Sequence, residues 1–250
     1  MTINPRAFLE SADLGDLQET PRLGALESTP LDLDKLPPAV VSGTTLIDFS
    51  QTPNLAVRAG ISEAMLFASR VASRAMKPGD DQDDWLASYT SNLGQLGFAI
   101  SGGAIVNSTF KKTGLFVHKA IIPFLTVAFG GAAVGPIILA GLKNLQEQNA
   151  DAPWITLFDQ ETRRFNASEM HFAATSSTDT ETTIKYAVAR LDVKTKDTSI
   201  LFFKLTKAEA HFQSSTTMMT ANNSLLAVLE KDLRERLAGL ARNFIAAAEL

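Results

Sequence analysis

The sequence contains no cysteine among its 250 residues. This absence excludes disulfide bonds, thiol nucleophiles and thiolate metal sites. Histidine is also scarce, so any imidazole chemistry would depend on His118, His171 or His211. The chain has no Gly-x-Ser-x-Gly, His-Glu-x-x-His, P-loop or Gly-x-Gly-x-x-Gly pattern. We therefore expect a protein that is not an enzyme and that carries no cofactor.

The chain also lacks an excess of basic residues. Its 23 lysine and arginine residues face 27 acidic residues, so the net charge is −4 and the pI is near 5.4. A nucleic-acid-binding protein usually shows a basic face, so this balance predicts no nucleic-acid partner. The N-terminus does not have a basic stretch followed by an apolar one, which a secretory signal peptide requires. The expected location is the cytoplasm, or outside the cell by a route without such a signal.

Charge is missing altogether from residues 120–142, "AIIPFLTVAFGGAAVGPIILAGL". A helix needs about 20 apolar residues to cross a bilayer, and this stretch is long enough. Pro123, Gly130-Gly131 and Gly135-Pro136 would break one continuous helix. These prolines and glycines therefore predict a helical hairpin that turns at residues 130–136, with arms of about 13 to 15 residues.

Three interpretations of this apolar hairpin stay open. In the first, it is part of the buried core of a soluble helical region. In the second, it is buried in the soluble form and inserts into a membrane when the protein acts. In the third, it anchors the protein permanently in a membrane. Its small residues would allow close helix contacts in lipid. The predicted membrane-inserting residues are Ile121, Ile122, Phe124, Leu125, Val127, Phe129, Val134, Ile137, Ile138 and Leu139. The residues predicted to contact lipid headgroups are Lys111, Lys112 and Lys119.

The chain divides into three segments by composition. Residues 1–50 hold eight acidic residues, three basic residues and five prolines, which is typical of an extended arm. Residues 51–150 form a helical region around the apolar hairpin. Its first helix begins near Asn54, and its second is capped by Asp83 or Asp84. Four apolar residues of the second helix lie on one face: Trp85, Tyr89, Leu93 and Leu96.

In residues 151–250 the spacing of the hydrophobic residues is different from that in the helical region. Segments rich in Thr, Ile, Val and Phe follow Pro153, from "WITLFDQ" to "TSILFFKLTKAEAHFQSSTTMM", and predict an antiparallel meander of about four strands. A long amphipathic helix, capped by Asn223 or Ser224, then ends the chain and completes an α+β fold. We call its apolar stripe the C-terminal seam: Leu226, Leu229, Leu233, Leu237, Leu240 and Phe244. This seam packs on the sheet, on another helix or on a partner subunit.

Two Glu-x-His pairs are the candidate metal ligands. Glu169 with His171, and Glu209 with His211, each lie on one face of a predicted strand because side chains alternate. Together, the two pairs would suit a divalent cation such as zinc. In a simple meander the strand at 183–193 separates them by roughly 10 Å, which disfavours a shared ion. The alternative is a surface Glu-His pair on each strand.

The segment pattern predicts a soluble bacterial-type protein that binds and permeabilises membranes, in the manner of a pore-forming toxin or effector. The alternative is a structural or assembly protein whose arm and C-terminal helix bind neighbouring subunits. A homo-oligomer, or a complex with another protein through that helix, is the expected assembly. A third interpretation is a metal-dependent enzyme that uses the Glu-x-His pairs.

Overall fold

The computed structural model describes residues 4–15, 31–110, 114–145, 151–162, 168–191, 199–205, 210–248 and 250. The strands are β1 (Ala39–Ser42), β2 (Thr45–Gln51), β3 (Ala99–Phe110), β4 (Ser168–Ser177), β5 (Glu181–Leu191), β6 (Ala210–Asn222) and β7 (Ile245–Ala247). The helices are α1 (Pro5–Ser11), α2 (Leu55–Ala75), α3 (Gln82–Gln95), α4 (Val117–Ala120), α5 (Ile122–Ala128), α6 (Pro136–Asn144), α7 (Pro153–Thr162), α8 (Asn223–Arg236) and α9 (Ala241–Phe244).

These strands form one mixed sheet in the order β3-β6-β5-β4-β2-β1-β7. Strand β2 pairs with β4 in parallel, and the other neighbouring pairs in this order are antiparallel. The expected sheet of about four antiparallel strands is therefore wrong. Four strands come from segments that the sequence assigned to an arm or to helices: β1, β2, β3 and β7. Short apolar runs fit strands and buried helices equally well, and only pairing with distant segments decides between them.

The meander is confirmed where β4, β5 and β6 follow one another in the sheet. The segment "WITLFDQ" is different, because it lies in helix α7 and not in a strand. Trp154, Ile155, Leu157 and Phe158 are all buried there, so the apolar residues form a helical face and do not alternate.

Helices α2 and α3 begin with side-chain caps. Helix α2 begins directly after Asn54, near the predicted start, and the Asn54 side chain caps it by accepting a hydrogen bond from the backbone N–H of Val57 at 3.3 Å. The cap of α3 is Asp81, and not Asp83 or Asp84 as predicted. Asp84 instead completes a capping box by accepting a bond from the Asp81 backbone. The predicted apolar face of α3 is buried.

The predicted long C-terminal helix is interrupted. Helix α8 ends at Arg236, a turn contains Gly239 with φ +93°, and β7 follows the short helix α9. The cap of α8 is Asn222, one residue before the predicted position. The residues of the C-terminal seam are nevertheless all buried in the core of their own chain, and α8 packs against α2.

The uncharged segment folds into α5 and α6, preceded by α4. Pro136 is the first residue of α6, while Gly130, Gly131 and Gly135 have φ of +76°, +126° and +72°. The predicted hairpin with two long arms does not form, because α5 has seven residues and α6 has nine. Pro123 lies in the first turn of α5, where a missing N–H is harmless, so the helix cannot extend smoothly from α4. None of the described helices combines the length and apolar character that crossing a membrane would need.

Replacing Gly135 with alanine tests the turn between α5 and α6. A Cβ at this position would come within 2.8 Å of the Phe129 ring and 3.2 Å of the Ala174 Cβ, on a left-handed backbone. Gly114 is the matched control, with φ +85° and open space around a new Cβ. We expect Gly114→Ala to cost about 1–2 kcal/mol of unfolding free energy and Gly135→Ala to cost more. Chemical denaturation measures both, and equal losses would contradict the packing of this turn.

Candidate functional site

Helix α6 is held on the sheet by Asp48, a buried residue of β2. The Asp48 Oδ2 accepts hydrogen bonds from the backbone N–H groups of Ile137 at 2.8 Å and Ile138 at 3.1 Å. Its Oδ1 accepts a bond from the N–H of Ser50 at 2.8 Å. The first N–H groups of a helix have no partner within the helix, and the helix dipole favours a carboxylate there. The lone acid in the apolar run "TLIDF" thus has a structural purpose that sequence reasoning missed.

The turn between α5 and α6 is tied to two strands. Lys185 of β5 donates a hydrogen bond to the carbonyl of Phe129, and the Gln51 side chain donates one to the carbonyl of Ala133 at 2.6 Å. The Phe129 ring is fully buried. One side of the uncharged segment is therefore anchored to the sheet, which leaves its other side facing outward.

The predicted membrane-inserting residues divide into three groups by burial. Half of them are core residues: Ile121, Leu125, Phe129, Ile138 and Leu139. Four others are half-buried: Ile122, Phe124, Val134 and Ile137. Val127 alone of the ten is exposed, with 80% of its surface accessible. The structure therefore does not enclose the whole segment in the core, nor does it expose all of it.

The outward side of this segment forms what we call the α5–α6 apolar surface. It joins the four half-buried residues to a set of exposed ones: Pro123, Val127, Ala132, Ala133, Pro136 and Ala140. Lys119 precedes this surface and exposed Lys143 follows it, with no charged residue between them in the sequence. Lys143 was not among the predicted headgroup ligands, although it is the first charge after the apolar run. Lys111 and Lys112 lie outside the described residues.

Glu169 and His171 of the predicted metal set lie in a buried polar network. His171 Nε2 is 3.0 Å from Glu169 Oε1, and both side chains are 2% exposed. His171 Nδ1 is hydrogen-bonded to the hydroxyl group of Tyr186. Arg190 donates to Glu169 Oε2 from Nε at 3.2 Å and from Nη2 at 3.1 Å, and Nη2 also contacts Asp83 at 2.8 Å.

The other half of the metal set lies far along the sheet. Glu169 of β4 stands opposite Arg190 of β5, which in turn stands opposite Gln213 of β6. By the same pairing across β5, His171 of β4 is level with Ser215 of β6. His211 is four residues from Ser215, so its backbone is about 13 Å along and about 10 Å across from that of His171. This distance weighs against one shared ion. Glu209 and the His211 side chain lie outside the described residues, and the residues that are described hold no cluster of three potential metal ligands.

Aromatic rings enclose this network from α3. Trp85 meets the His171 ring edge-on at 5.3 Å and stacks on Tyr89 at 5.0 Å, both measured between ring centroids. Burial raises the pKa values of Tyr89 and Tyr186, so both hydroxyl groups stay protonated. Burial would also raise the pKa of Glu169, but His171 and Arg190 outweigh it and lower this pKa below its ordinary value. The network therefore fixes α3 on β4 and β5 through a buried charge, and a catalytic role has no support from these contacts.

A second buried carboxylate joins α2 to α8. Arg234 contacts Glu63 at 3.1 Å, Asp34 at 2.8 Å and Glu230 at 2.8 Å. Burial raises the pKa of Glu63 to about 7, against the opposing effect of Arg234. The predicted arm thus contributes Asp34 to an ion-pair cluster on the helical layer.

His118 is a core residue. Its Nδ1 donates to the carbonyl of Leu201 at 2.7 Å, and its ring stacks on Phe116. Burial lowers the pKa of His118, which favours the neutral ring. This histidine packs α4 against the 3₁₀ turn at Ile200–Phe202.

The charge on Glu169 should stabilise the fold at neutral pH. Breaking one side of a buried pair costs about 3–5 kcal/mol, so we expect Glu169→Gln to lower the unfolding free energy by about that amount at pH 7. Because the folded-state pKa is lowered, this stabilisation is present above pH 4.5 and is lost as the pH falls through the folded pKa. The difference between variant and wild type should therefore shrink in acid, as denaturation at several pH values would measure. The control is Glu235→Gln, which removes an exposed pair with Lys231 and should cost at most about 1 kcal/mol.

Glu63 should have the opposite pH dependence. With its pKa raised to about 7, the folded protein binds a proton between pH 4.5 and 7 that the unfolded chain releases. Glu63 therefore contributes less stability as the pH rises through this window. We expect Glu63→Gln to gain stability relative to wild type from pH 4.5 to about 7, and then to show a constant difference. A difference independent of pH would contradict the buried ionisation of Glu63.

Comparisons with known proteins give only low similarity. No protein-family model matches the sequence, and no curated protein matches it. A solved structure described as "DELTA-ENDOTOXIN" has a TM-score of 0.37 and 12% identity, over 79% of this chain and 85% of the other. A second, "Structure of the Evf virulence factor", has a TM-score of 0.38 and 12% identity, over 98% of this chain and 91% of the other. Scores of this size carry no argument about function, which has to come from the chain's own residues.

Proposed function

We propose that this protein is a membrane-interacting protein of toxin or effector type that docks on a lipid bilayer through the α5–α6 apolar surface. The observation that carries the proposal is Val127, which is 80% exposed within a segment of the sequence, residues 120–142, that contains no charged residue. The other exposed large hydrophobic residues in the described part of the chain are 38–54% exposed. Single exposed apolar residues are common on proteins, but a continuous uncharged segment at the surface is typical of an interaction site.

The energy available from this surface suits reversible docking. Burying one side chain the size of Val or Phe is worth about 1.5–3 kcal/mol, and several half-buried residues beside Val127 would add part of their area. Each lysine close to an anionic membrane adds about 1 kcal/mol. Lys119 precedes the uncharged segment in the sequence and exposed Lys143 follows it, so these are the two lysines to which we assign this contribution.

The helix lengths favour an orientation in the plane of the membrane. The nine residues of α6 correspond to about 14 Å of helix, against a hydrocarbon core of about 30 Å. An amphipathic segment lying at the interface enters only about 5–10 Å. Permeabilisation would require more, because the buried Ile121, Leu125 and Phe129 would have to leave the core. Docking is therefore the first step in this proposal, and pore formation is a second step.

The alternative assembly function needs the C-terminal seam to be available to a neighbouring subunit. Leu226, Leu229 and Leu233 are 3%, 2% and 0% exposed and belong to the core of their own chain. The α5–α6 apolar surface is accessible instead. The accessible surface thus favours the membrane-interacting function over assembly through the C-terminal helix.

Replacing Val127 with aspartate tests the docking surface. A charge at this exposed position should not disturb the core, but it would have to enter the lipid interface when the protein docks. We expect Val127→Asp to bind anionic liposomes at least about tenfold more weakly than wild type, which corresponds to the burial of one valine. Liposome flotation measures the binding, and thermal melting checks that the variant is folded.

Val228→Asp is the matched control, since Val228 is an exposed valine on helix α8. It should bind liposomes as wild type does. Equal binding by Val127→Asp, or no binding by the wild type at any pH or lipid composition, would overturn the docking proposal. Release of a trapped dye tests the second step separately: binding without release would retain docking and reject pore formation.

A further inference from the structure

Strand β3 occupies one edge of the sheet. Among the described residues, β6 is its partner on one side, and no strand pairs with the other side. The pairing is regular from Ala104 to Phe110, where seven consecutive residues stand opposite Thr216 to Ala210. Residues 99–102 at the start of the strand are all exposed. The backbone donors and acceptors on the outer side of β3 thus have no strand partner among the described residues, and such a row can pair with another strand.

This edge lacks most of the features that usually prevent strand pairing. Native edge strands are commonly short, charged, interrupted by proline or bulged. β3 has twelve residues, and the sequence contains neither a charged residue nor a proline from Trp85 to Phe110. Its one irregularity is the register shift between Ser101 and Ala104, near the first end of the strand. The opposite edge is different, because β7 has only three residues.

We propose that the β3 edge pairs in antiparallel fashion with the β3 edge of a second copy of this chain. Such a pair has two-fold symmetry and closes on itself, so it gives a dimer and not a fibre. Identical charges facing each other across strands would be destabilising, and β3 carries none. Both copies present edges of equal length, so the backbone groups that point away from β6 can pair along the regular part of the strand, from Ala104 to Phe110. The two seven-stranded sheets become one continuous sheet.

This contact differs from the assembly that the sequence predicts, which uses the C-terminal helix. It also does not rest on membrane docking, because β3 contributes no residue to the α5–α6 apolar surface. The dimer can therefore be tested without lipid.

The first experiment is the mass of the full chain in solution. Light scattering and sedimentation across a dilution series should show a species of twice 26.9 kDa that dissociates to monomer on dilution. Ala104→Lys and Ala104→Glu each place a charge near the middle of β3, and each variant alone should be monomeric. An equal mixture of the two should dimerise again, because opposite charges then face each other across the pair.

The control is Val228→Lys, which places the same charge on exposed α8 and should leave the dimer unchanged. Rescue in the mixture shows that the separate variants are folded. A monomeric wild type at every concentration overturns the proposal, as does a dimer that both charged variants retain or a mixture that stays monomeric.

A cysteine scan gives a second measurement if the charged variants fail to fold. The chain has no cysteine, so single cysteines at successive positions from 99 to 109 report on β3 alone. In the antiparallel pair, disulfides between copies should form only near the two-fold axis. Cross-linking along the whole strand indicates parallel pairing, and cross-linking nowhere indicates another surface; either result overturns the proposal.

Discussion

The parallel pairing of β2 with β4 is the contact on which the rest of the structure depends. Thr45 to Asp48 stand in register with His171 to Ala174, which joins the first fifth of the chain to the meander that begins at Ser168. Without this pair, the β1–β2 hairpin with β7 would be separated from the β3–β6–β5–β4 group, and neither part could bury both of its faces. The pairing also aligns Asp48 with the start of α6, so the position of the α5–α6 apolar surface depends on it.

Three buried carboxylates hold helices in place, two of them against the sheet and one between α2 and α8, and each has a partner that explains its burial. Asp48 accepts from the N-terminus of α6, Glu169 contacts His171 and Arg190, and Glu63 contacts Arg234. An unpaired buried charge costs several kcal/mol, so each partner specifies which helix packs at which place. The net effect on the pKa differs between the two ion-pair sites. At Glu169 the charged partners lower the pKa more than burial raises it, whereas at Glu63 burial raises the pKa more than Arg234 lowers it. The two ion-pair sites therefore respond to pH in opposite directions.

The surfaces left over after this packing are the ones to which we assign functions. One side of the uncharged segment is tied to the sheet through Gln51 and Lys185, and residues on its other side, Val127 above all, face solvent. The β3 edge has a similar origin, because the β3–β6 ribbon is long and its outer side meets no described strand. Both surfaces come from stretches of sequence without charge, which suit contact with lipid in one case and with an identical strand in the other.

Local features of the sequence determined some of the helix boundaries and the buried faces of α3 and of the C-terminal seam. Asn54, Gly130-Gly131 and Pro136 act through their own backbone preferences and caps, and these are encoded within a few residues. The seam leucines were likewise identifiable from their spacing. The strand count, the parallel pair and the partners of Glu169 were decided only by tertiary structure, because strands take their hydrogen bonds from residues far away in the sequence. The exposure of Val127 was also decided only by tertiary structure. The sequence shows that this residue is apolar, but only the packing of α5 on the sheet determines that its side chain faces outward.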